Sequence, residues 1–513
     1  MQFYWFLWYG VQSLLSRELS FMHTHSIYYP EGISLFYSNY YYYGLFLSLV
    51  LRFFFSSIQM FNLLILHTFV VAGVGGFLLL RYLTRNIPAS PLGGFVFAFN
   101  PSHFAHSLHH VTITSIQFIP FFVLYFLRGI KENKRIHLFL VGLFLVLSSL
   151  CDWNYLVFGL IFIGLSYLYL AIRRKRLILF SEIKKIMMIL AFSFLLLSPL
   201  IVPMFVLGLK HPEVHLSGHD TFVADALGFF VPHVYHLLSH WNWIEEINNR
   251  MTGTNWEKAV YLGIVNLVII GWAIRSIFKE VFKYLLGLVI FMILAMGVSV
   301  HFMGQKLPIP LPYKLIAVMP FLTQARTPSR IFVFGYLFLA ILVAFSVKHL
   351  YFSGDLSSRK KKFLRLTVVL IFLDYYSICR AVTEVSLPRC YQVIQQERNH
   401  DFGILELPWD GGRYMMYQTL HGIPDVQGYV GRRFEKTLND RLEYDLKNLA
   451  QQKTTLIANR VKYIVIHKKK IEWNYRKAFD KTYFRAFQSV CKIYAQTYQK
   501  VYEDDQSATF KVY

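Results

Sequence analysis

The sequence predicts an all-α polytopic membrane protein, with about ten transmembrane helices and a small C-terminal extracytoplasmic α/β domain. Of its 513 residues, 55% are hydrophobic and only 16% are charged, whereas soluble domains average about 25% charged residues. Apolar runs of nearly bilayer-spanning length recur along the first three quarters of the chain, and in lipid only helices or closed barrels satisfy the backbone. The runs are too long for barrel strands, so the composition excludes a soluble globular enzyme.

Ten apolar runs are predicted to cross the bilayer as helices. Their predicted bounds, in chain order, are Met60 to Tyr82, Pro91 to Ser107, Thr112 to Leu127, His137 to Asp152, Asn154 to Ile172, Ile186 to Leu209, Ala259 to Ile274, Tyr284 to Phe302, Ile331 to Leu350 and Leu364 to Val382.

Basic residues predict the orientation of these spans, because short cytoplasmic loops retain Lys and Arg. Such residues cluster in every second loop: at Arg81 and Arg85, from Arg128 to Arg135, from Arg173 to Lys185, from Arg275 to Lys283 and from Arg359 to Lys362. The remaining loops, the segment before the first span and everything after the last span are therefore predicted to face away from the cytoplasm. The net charge of +23 follows from these loops and does not indicate a nucleic-acid partner.

Three regions follow from this pattern of spans and loops. They are residues 1–58, an exterior segment with interfacial helices; residues 59–382, a transmembrane domain with long exterior loops at 210–258 and 303–330; and residues 383–513, an extracytoplasmic α/β domain. In the first region, Trp5, Trp8 and the run Tyr40 to Tyr43 are predicted to lie at the depth of the lipid headgroups.

The C-terminal region has a charged, periodic pattern that differs from the apolar runs. Alternating apolar residues predict strands at Phe402 to Pro408, Arg460 to His467 and Ala508 to Tyr513. A helical period predicts an amphipathic helix at Glu435 to Gln452.

Asp152 lies at the outer end of one predicted span, in a tight turn before the next span. An ionisable residue at membrane depth is costly and is a candidate functional group, here a catalytic one. Aspartate is also a favoured N-cap, and the following helix is predicted to begin at Asn154. At the level of sequence both roles remain open for Asp152.

Four histidines, His103, His106, His109 and His110, fall in one predicted exterior turn. Helical spacing would place His103, His106 and His110 on a common face, where they could line a substrate pocket and bind a divalent metal or a phosphate. A polar turn with histidines at the wet interface is an equally good interpretation. The turn holds no carboxylate that would complete a site for a hard metal.

Arg326 and Arg330 directly precede a predicted span on the outer face, where the distribution of Lys and Arg disfavours arginine. A guanidinium fork at the membrane surface can hold a lipid phosphate in a bidentate manner. Anchoring to lipid headgroups would give a similar pattern without catalysis.

Several longer segments stand out together. They are HTHSIYYPEGISL (His23 to Leu35), FAFNPSHFAHSLHH (Phe97 to His110), EKAVYLG (Glu257 to Gly263), PYKLIAVMPFLTQARTPSRIF (Pro312 to Phe332) and the C-terminal segment from Gly403 to Arg433. These segments resemble bacterial integral-membrane proteins of the GT-C glycosyltransferase superfamily, and the similarity extends over nearly the whole chain.

The resemblance implies a GT-C-like fold and transfer of a sugar from a polyprenyl-phosphate carrier to an acceptor outside the cytoplasmic membrane. It also implies that a carboxylate of the first exterior loop deprotonates the acceptor or binds a metal, while basic groups steady the leaving phosphate. In such proteins a first membrane helix and an acidic motif usually precede the segment that contains Trp5. Met1 stands only four residues before Trp5, so we expect that this first helix and its acidic motif are missing from the chain. Glu31 is then either a substitute for the missing acid or a turn residue before Gly32.

The sequence thus predicts a membrane glycosyltransferase for hexosyl or pentosyl groups, acting in cell-envelope glycan or glycolipid assembly at the cytoplasmic membrane. Its predicted partners are a polyprenyl-phosphate-sugar donor, membrane lipids and a glycan or lipid acceptor, and a divalent metal is the candidate cofactor. The alternatives are a catalytically inactive GT-C-like scaffold and a transporter or flippase with His67 and Asp374 along its path. The predicted site residues are Glu31 and Asp152 as catalytic groups, Arg326 and Arg330 at the lipid phosphate, and His103, His106, His109 and His110 in the substrate pocket.

Overall fold

The computed structural model describes most of the chain. The described residues are 1–38, 40–132, 134–175, 180–211, 220–319, 326–353, 357–378, 385–397, 401–467 and 487–513. Parts of the two predicted long loops, and the end of the last predicted span, lie outside these residues.

Helices make up most of the described chain. The α-helices are α1 Gln2–Leu15, α2 Tyr42–Leu51, α3 Ser57–Thr84, α4 Ser90–Ala98, α5 Pro101–Ser107, α6 Val111–Thr114, α7 Ile119–Glu132, α8 Arg135–Cys151, α9 Trp153–Arg174, α10 Phe180–Lys210, α11 Asn242–Arg250, α12 Ile264–Ala295, α13 Tyr313–Ala317, α14 Phe332–Phe352, α15 Ser358–Asp374, α16 Cys390–Gln395, α17 Gly411–His421, α18 Leu438–Arg441, α19 Leu449–Ala458 and α20 Phe487–Thr497.

Short 3₁₀ helices and strands complete the described secondary structure. The 3₁₀ helices are Ala226–Phe229, Leu237–His240, Pro328–Ile331 and Leu446–Asn448; the strands are β1 His23–Thr24, β2 Ile33–Ser34, β3 Ser299–Phe302, β4 Gln305–Pro310, β5 Gly403–Leu407, β6 Val461–His467, β7 Gln499–Glu503 and β8 Ser507–Lys511.

Among the described residues, four helical segments are long and apolar enough to cross a membrane: Ser57–Thr84, Trp153–Arg174, Ser181–Lys210 and Pro328–Phe352. The protein is therefore an α-helical polytopic membrane protein. The segment that contains α14 is central, because 89% of its most apolar stretch of 18 residues is buried inside the protein. The corresponding stretch of α10 is only 17% buried. α14 is apolar on every side because α3, α4 and α12 surround it, whereas the outer face of α10 is apolar because it meets lipid.

Glycines bring α3 and α4 into close contact. A Cβ atom added to Gly76 would lie 3.0 Å from the Cα atom of Gly94. Within lipid, helices gain little from burying apolar surface, so their association depends on close van der Waals packing, which small residues permit. This contact fixes α4, and with it the histidine-rich helix α5, against α3.

Two predicted spans are not continuous helices. The run from Pro91 to Ser107 is divided into α4 and α5 at Asn100, whose side-chain oxygen accepts a hydrogen bond from the backbone nitrogen of His103 (2.9 Å) and so starts a new helix. The run from Thr112 to Leu127 is likewise divided into α6 and α7. Non-helical backbone at membrane depth is tolerated where protein encloses it, so these breaks indicate an interior position.

The predicted spans from Ala259 to Ile274 and from Tyr284 to Phe302 fall largely in one helical element, α12. A straight helix of its length would measure about 48 Å. Its two ends lie much closer together than that. Just before α12, the backbone nitrogen of Leu262 donates to the carbonyl oxygen of Phe229, and at the end of α12 the carbonyl oxygen of Ala295 accepts from the nitrogen of Ala224. The five residues from Ala224 to Phe229 can span at most about 18 Å. α12 therefore bends back on itself, with its basic middle part far from both ends.

The N-terminal helix α1, predicted to lie at the membrane interface, is packed between other elements of the protein. Trp5 in α1 is fully buried, and its Nε1 atom donates a hydrogen bond to Gln418 Oε1 in α17 at 2.6 Å. α1 also contacts the membrane helices, since the Tyr4 ring packs edge-on against Phe61 of α3. The predicted tyrosine run is also buried at Tyr40, Tyr41 and Tyr42. A helix packed between two layers of protein and a helix at the lipid headgroups can have the same aromatic composition, so the sequence does not distinguish these two environments.

The C-terminal region forms a four-stranded mixed sheet in the order β5-β6-β8-β7. β5 and β6 are parallel, and β8 pairs antiparallel with both β6 and β7. β5, β6 and β8 coincide with the three predicted strands. The predicted helix from Glu435 to Gln452 is wrong: Thr437 and Asp440 form a capping box around the single turn of α18, and a longer helix, α19, begins only at Leu449.

Candidate functional site

A cavity of about 540 Å³ lies where α1, the turn between α8 and α9, and the segment before α14 meet the C-terminal region. Its lining includes Asp152, Arg326, Arg330 and Arg432. We call it the arginine cavity. The structure thus brings together one predicted catalytic residue and both predicted phosphate-binding residues.

A buried carboxylate holds Arg330 in place. The side chain of Glu257 is fully buried, and its Oε1 atom lies 2.9 Å from Arg330 Nε and 2.8 Å from Arg330 Nη2. Ser329 donates a hydrogen bond from Oγ to Glu257 Oε2, and His106 Nε2 lies 4.0 Å from the same oxygen. Because a buried charge is costly unless it is paired, this contact fixes the guanidinium at the cavity wall.

The loop that carries Glu257 is itself anchored to α14. Tyr336 donates hydrogen bonds from Oη to the carbonyl oxygens of Ala259 (3.2 Å) and Tyr261 (3.1 Å). Arg330 belongs to the 3₁₀ turn that leads directly into α14. A single helix therefore orients both members of the ion pair.

The structure is compatible with both roles considered for Asp152. Its Oδ1 atom accepts hydrogen bonds from the backbone nitrogen of Asn154 (3.0 Å) and from Asn154 Nδ2 (2.7 Å), so it caps α9. The same side chain lines the arginine cavity. Within the described part of the chain, the hydrogen bonds of Asp152 use Oδ1 and leave Oδ2 for another partner.

The common face expected for the histidines does not form. α5 ends at Ser107, so helical spacing stops before His109 and His110. His103 faces α3: its Nε2 atom lies 3.0 Å from Thr68 Oγ1, and its ring stacks on Phe69 with centroids 3.9 Å apart. These contacts satisfy His103 as a core residue.

The other three histidines lie close together but make different polar contacts. The ring centroids of His106 and His110 are 5.7 Å apart, and His109 and His110 both pack against Trp256. His106 faces Glu257, His109 Nε2 lies 2.9 Å from Tyr235 Oη, and His110 lines the arginine cavity. Burial lowers the pKa of His109 to about 4 and the pKa of His110 well below its ordinary value. Among the residues that the structure describes, no group of three or more His, Cys, Asp or Glu side chains could hold a metal ion.

Two further arginines complete the positive side of the cavity. Arg326 lies over the ring of Phe222 (5.6 Å) and Arg432 over the ring of Tyr37 (5.1 Å). Burial lowers the pKa of both guanidinium groups from the usual value, and a neighbouring arginine contributes in each case. Arginine nevertheless stays protonated in proteins, so a bound anion would relieve the repulsion between these groups.

Glu31 lies apart from this group. Its Oε2 atom accepts a hydrogen bond from the backbone nitrogen of Leu438 (3.0 Å), and its Oε1 atom pairs with Arg441. These contacts join the first exterior segment to α18. The structure therefore separates Glu31 from Asp152 and the cavity arginines.

The sequence prediction omits Glu257 and Arg432 from the site. A signal exists in each case: Glu257 lies between Trp256 and Lys258, just before an apolar stretch, and Arg432 is part of the run GYVGRRF. Tyr429, in the same run, lines the arginine cavity. Neither signal identifies a partner, because the partners are far away in the sequence: Glu257 contacts Arg330, and Arg432 lies over the ring of Tyr37.

The arrangement of the cavity suits binding of an anion and acceptance of a proton. Guanidinium groups bind phosphate oxygens with two parallel hydrogen bonds, and the three arginines surround one space. A carboxylate in the same space, Asp152, is the type of group that serves as a general base.

The fold has counterparts among solved structures. The oligosaccharyltransferase from Archaeoglobus fulgidus in the apo form matches with a TM-score of 0.51 and 12% identity, over 90% of this chain and 65% of that chain. The chain thus spans slightly less than two thirds of the length of that enzyme. ArnT from Cupriavidus metallidurans, also in the apo state, matches with a TM-score of 0.44 and 10% identity, over 100% of this chain and 93% of that chain. At 12% identity, the match to the Archaeoglobus fulgidus enzyme shows the fold alone.

Sequence comparison leads to a family without a known function. No curated protein matches the chain. Residues 7–372 match the family model described as "Domain of unknown function (DUF6311)". Since this match covers more than half of the chain, the protein belongs to the DUF6311 family, and its fold is that of a GT-C-like polytopic membrane protein.

Proposed function

We propose that this protein is a membrane glycosyltransferase that moves a sugar from a polyprenyl-phosphate donor to an acceptor bound at the arginine cavity. One observation carries the proposal: three arginines and the carboxylate of Asp152 line a single cavity. This cavity lies at the start of α9 and just before α14, where two apolar helices begin. A lipid phosphate whose chain remains in the bilayer would reach this position.

In the proposed reaction an acceptor hydroxyl attacks the anomeric carbon of the donor sugar. The new carbon–oxygen bond forms as the bond from that carbon to the phosphate oxygen breaks, and the bonding electrons remain on the phosphate. Arg326, Arg330 and Arg432 offset the developing negative charge, and Asp152 takes the hydroxyl proton. Glu257 acts as a positioning residue because it contacts Arg330 and does not line the cavity.

We further propose that the cavity opens on the extracytoplasmic side of the cytoplasmic membrane. In this arrangement residues 59–382 form the transmembrane domain, and residues 1–58 and 383–513 lie together outside. The packing of α1 on α17 and the pairing of Glu31 with Arg441 support a common side for the two outer regions. The basic loops at the far ends of α3 and α9 support a cytoplasmic location for those ends.

A divalent metal is not part of this proposal. Hard cations take several oxygen ligands, whereas the described lining of the arginine cavity offers the carboxylate of Asp152 among three guanidinium groups. The nearby carboxylate of Glu257 is already paired with Arg330.

The transport alternative receives no support from its two candidate residues. Asp374 accepts hydrogen bonds from Tyr261 Oη (2.8 Å) and from the backbone nitrogen of Val265 (2.9 Å), and so fixes the start of α12. His67 Nε2 lies 3.3 Å from Tyr43 Oη. Both contacts serve packing between elements.

Transfer by purified protein in proteoliposomes tests the proposal, with radiolabelled hexoses and pentoses on polyprenyl phosphate as donors. Asp152→Asn is the most informative variant because asparagine is an equally good N-cap, so α9 keeps its start while the base is lost. We expect transfer to fall by about 10²- to 10⁴-fold, with binding of sugar-free polyprenyl phosphate retained. Arg326→Gln should weaken that binding.

Arg250→Gln serves as the matched control, since Arg250 is exposed on α11 and pairs only with the neighbouring Glu246 in the described structure. It should leave both readouts unchanged. Lipid binding that depends on Arg326, without transfer from any donor, would favour the inactive scaffold. Equal polyprenyl-phosphate binding by wild type, Arg326→Gln and Arg250→Gln would contradict the proposed site.

A further inference from the structure

A second cavity, of about 510 Å³, lies at the other end of the membrane helices. Its lining includes Arg173 near the end of α9, whereas the arginine cavity is lined by Asn154 near the start of the same helix. Nineteen residues of helix separate these positions, or about 29 Å, which is close to the hydrocarbon thickness of a bilayer. The two cavities therefore open at opposite membrane faces. We call the second one the basic-loop cavity.

The basic-loop cavity has apolar walls and a positively charged mouth. Aromatic and aliphatic side chains form its interior, among them Phe126, Phe162, Leu165 and Ile290. The mouth carries four cations and one acid: Arg85, Lys131, Arg173, Lys283 and Glu280. This combination differs from the arginine cavity, where charged groups line the interior.

None of the four cations lies within 4.0 Å of a carboxylate oxygen in the described chain, although Glu280 interacts electrostatically with Lys283. Lys131 and Lys283 lie over the rings of Tyr82 (5.9 Å) and Tyr284 (4.7 Å). Basic residues next to them do form close ion pairs. Arg128, one turn before Lys131 on α7, lies 3.9 Å from Glu132, and Arg174, next to Arg173, lies 2.6 Å from Glu182. The buried Oη atom of Tyr82, another lining residue, has no hydrogen-bond partner among the described residues. The mouth thus carries an excess of positive charge, four cations to one acid, and a hydroxyl without a hydrogen-bond partner among the described residues.

Orientation of the protein in the membrane explains part of this pattern. Cytoplasmic loops retain Lys and Arg whether or not they bind a ligand. That rule places charge at the surface, but it does not require a cavity of several hundred Å³ between α3, α7, α9, α12 and α14 directly beneath the charges. Cavities of this volume commonly hold ligands, and an apolar interior below a cationic rim is complementary to an anion with a hydrocarbon chain.

We propose that the basic-loop cavity binds one anionic phospholipid, with an acyl chain between the helices and the phosphate at Arg85, Lys131, Arg173 and Lys283. The site belongs to the membrane leaflet on the side of the basic loops. It is separate from the arginine cavity and does not depend on the proposed transfer reaction. Bound in this way, the lipid fills a gap between α9 and α12 and holds these helices together.

Native mass spectrometry of the full-length protein, released from nanodiscs with equal amounts of phosphatidylglycerol and phosphatidylcholine of identical acyl chains, tests the proposal. Wild type should retain one phosphatidylglycerol in preference to phosphatidylcholine. Arg173→Gln/Lys283→Gln neutralises two cations and should weaken that retention about 30-fold. This estimate assumes that each basic residue near an anionic lipid contributes about 1 kcal/mol to binding. Leu165→Trp, which fills the apolar interior, should weaken it without any change of charge.

Lys361→Gln/Lys362→Gln is the matched control, because these exposed lysines belong to another basic loop and do not line the cavity. It should retain the lipid like wild type. Equal loss in the control and in Arg173→Gln/Lys283→Gln would show nonspecific attraction to basic loops and overturn the proposal. Displacement of the lipid by millimolar inorganic phosphate, or unchanged retention in Leu165→Trp, would also overturn the proposal. In either case the acyl chain of the lipid would contribute nothing to binding.

Discussion

Neutralising Glu257 should release Arg330 from its position at the arginine cavity and destabilise the protein. The carboxylate is fully buried, and the guanidinium side chain is only 15% exposed. Two charges about 4 Å apart attract each other by about 4 kcal/mol at the effective dielectric constant of a protein. In Glu257→Gln the amide oxygen retains a hydrogen bond worth about 1 kcal/mol. The expected loss in the free energy of unfolding is therefore about 3 kcal/mol, within the range for breaking a buried ion pair.

A double-mutant cycle measures this coupling. Unfolding of Glu257→Gln, Arg330→Gln and the double variant is followed by tryptophan fluorescence during titration of mixed micelles with SDS. Each single variant leaves one buried charge unpaired, whereas the double variant leaves none, so the double variant should lose clearly less than the sum of the two single variants. Glu246→Gln breaks the exposed pair with Arg250, in which both side chains are more than half exposed, and should cost no more than about 1 kcal/mol.

Two results would refute this reasoning. If Glu257→Gln cost no more than Glu246→Gln, the buried pair would not be a source of stability. If the effects of the two single variants simply added, Glu257 and Arg330 would act independently, and Glu257 could not be the residue that positions Arg330.

Two further predictions concern the C-terminal region and its contact with α1. Burial raises the pKa of the Glu406 carboxyl, next to Tyr391 and His467, to about 8; a raised acid pKa stabilises the folded state at low pH, and this contribution is lost as the pH rises through 8. Since an unfolded Glu has a pKa of about 4.3, wild type should lose more thermal stability than Glu406→Gln as the pH rises from about 5 to 8; parallel profiles over this range would contradict the assignment. Trp5→Phe removes the donor to Gln418 and should cost about 1–3 kcal/mol, seen as faster hydrogen exchange in α17; unchanged exchange would mean that α1 does not stabilise this helix.

The membrane helices could be predicted because lipid leaves the backbone few options. Five of the predicted runs correspond to α3, α8, α9, α10 and α14, with ends that differ by a few residues. The same reasoning fails for Pro91 to Leu127, since it assumes that lipid surrounds the chain. Here neighbouring helices enclose the backbone, and Asn100 supplies a cap within the apolar run. Whether protein or lipid surrounds an apolar segment depends on tertiary structure.

The candidate site could be predicted only in part for a related reason. Asp152, Arg326 and Arg330 stand out because each is a charge where the membrane disfavours one. Glu257 does not stand out in this way, because it lies in a predicted exterior loop, and its significance arises from Arg330, which is 73 residues away in the sequence. Glu31 lies in a recognisable segment, yet its contacts with Leu438 and Arg441 span more than 400 residues. Local patterns identify unusual charges, while long-range contacts determine their partners.

The balance of charge at the arginine cavity bears on how the proposed reaction would be accelerated. Asp152 and Glu257 offset two of the three positive charges of Arg326, Arg330 and Arg432, which leaves one. A phosphodiester-linked donor carries one negative charge, and the phosphate monoester released by transfer carries nearly two near pH 7. The cavity would therefore attract the departing phosphate more strongly than the intact donor. Only interactions that strengthen toward the transition state accelerate the chemical step. Arg330, held by the buried carboxylate of Glu257, provides such an interaction without having to move during the reaction.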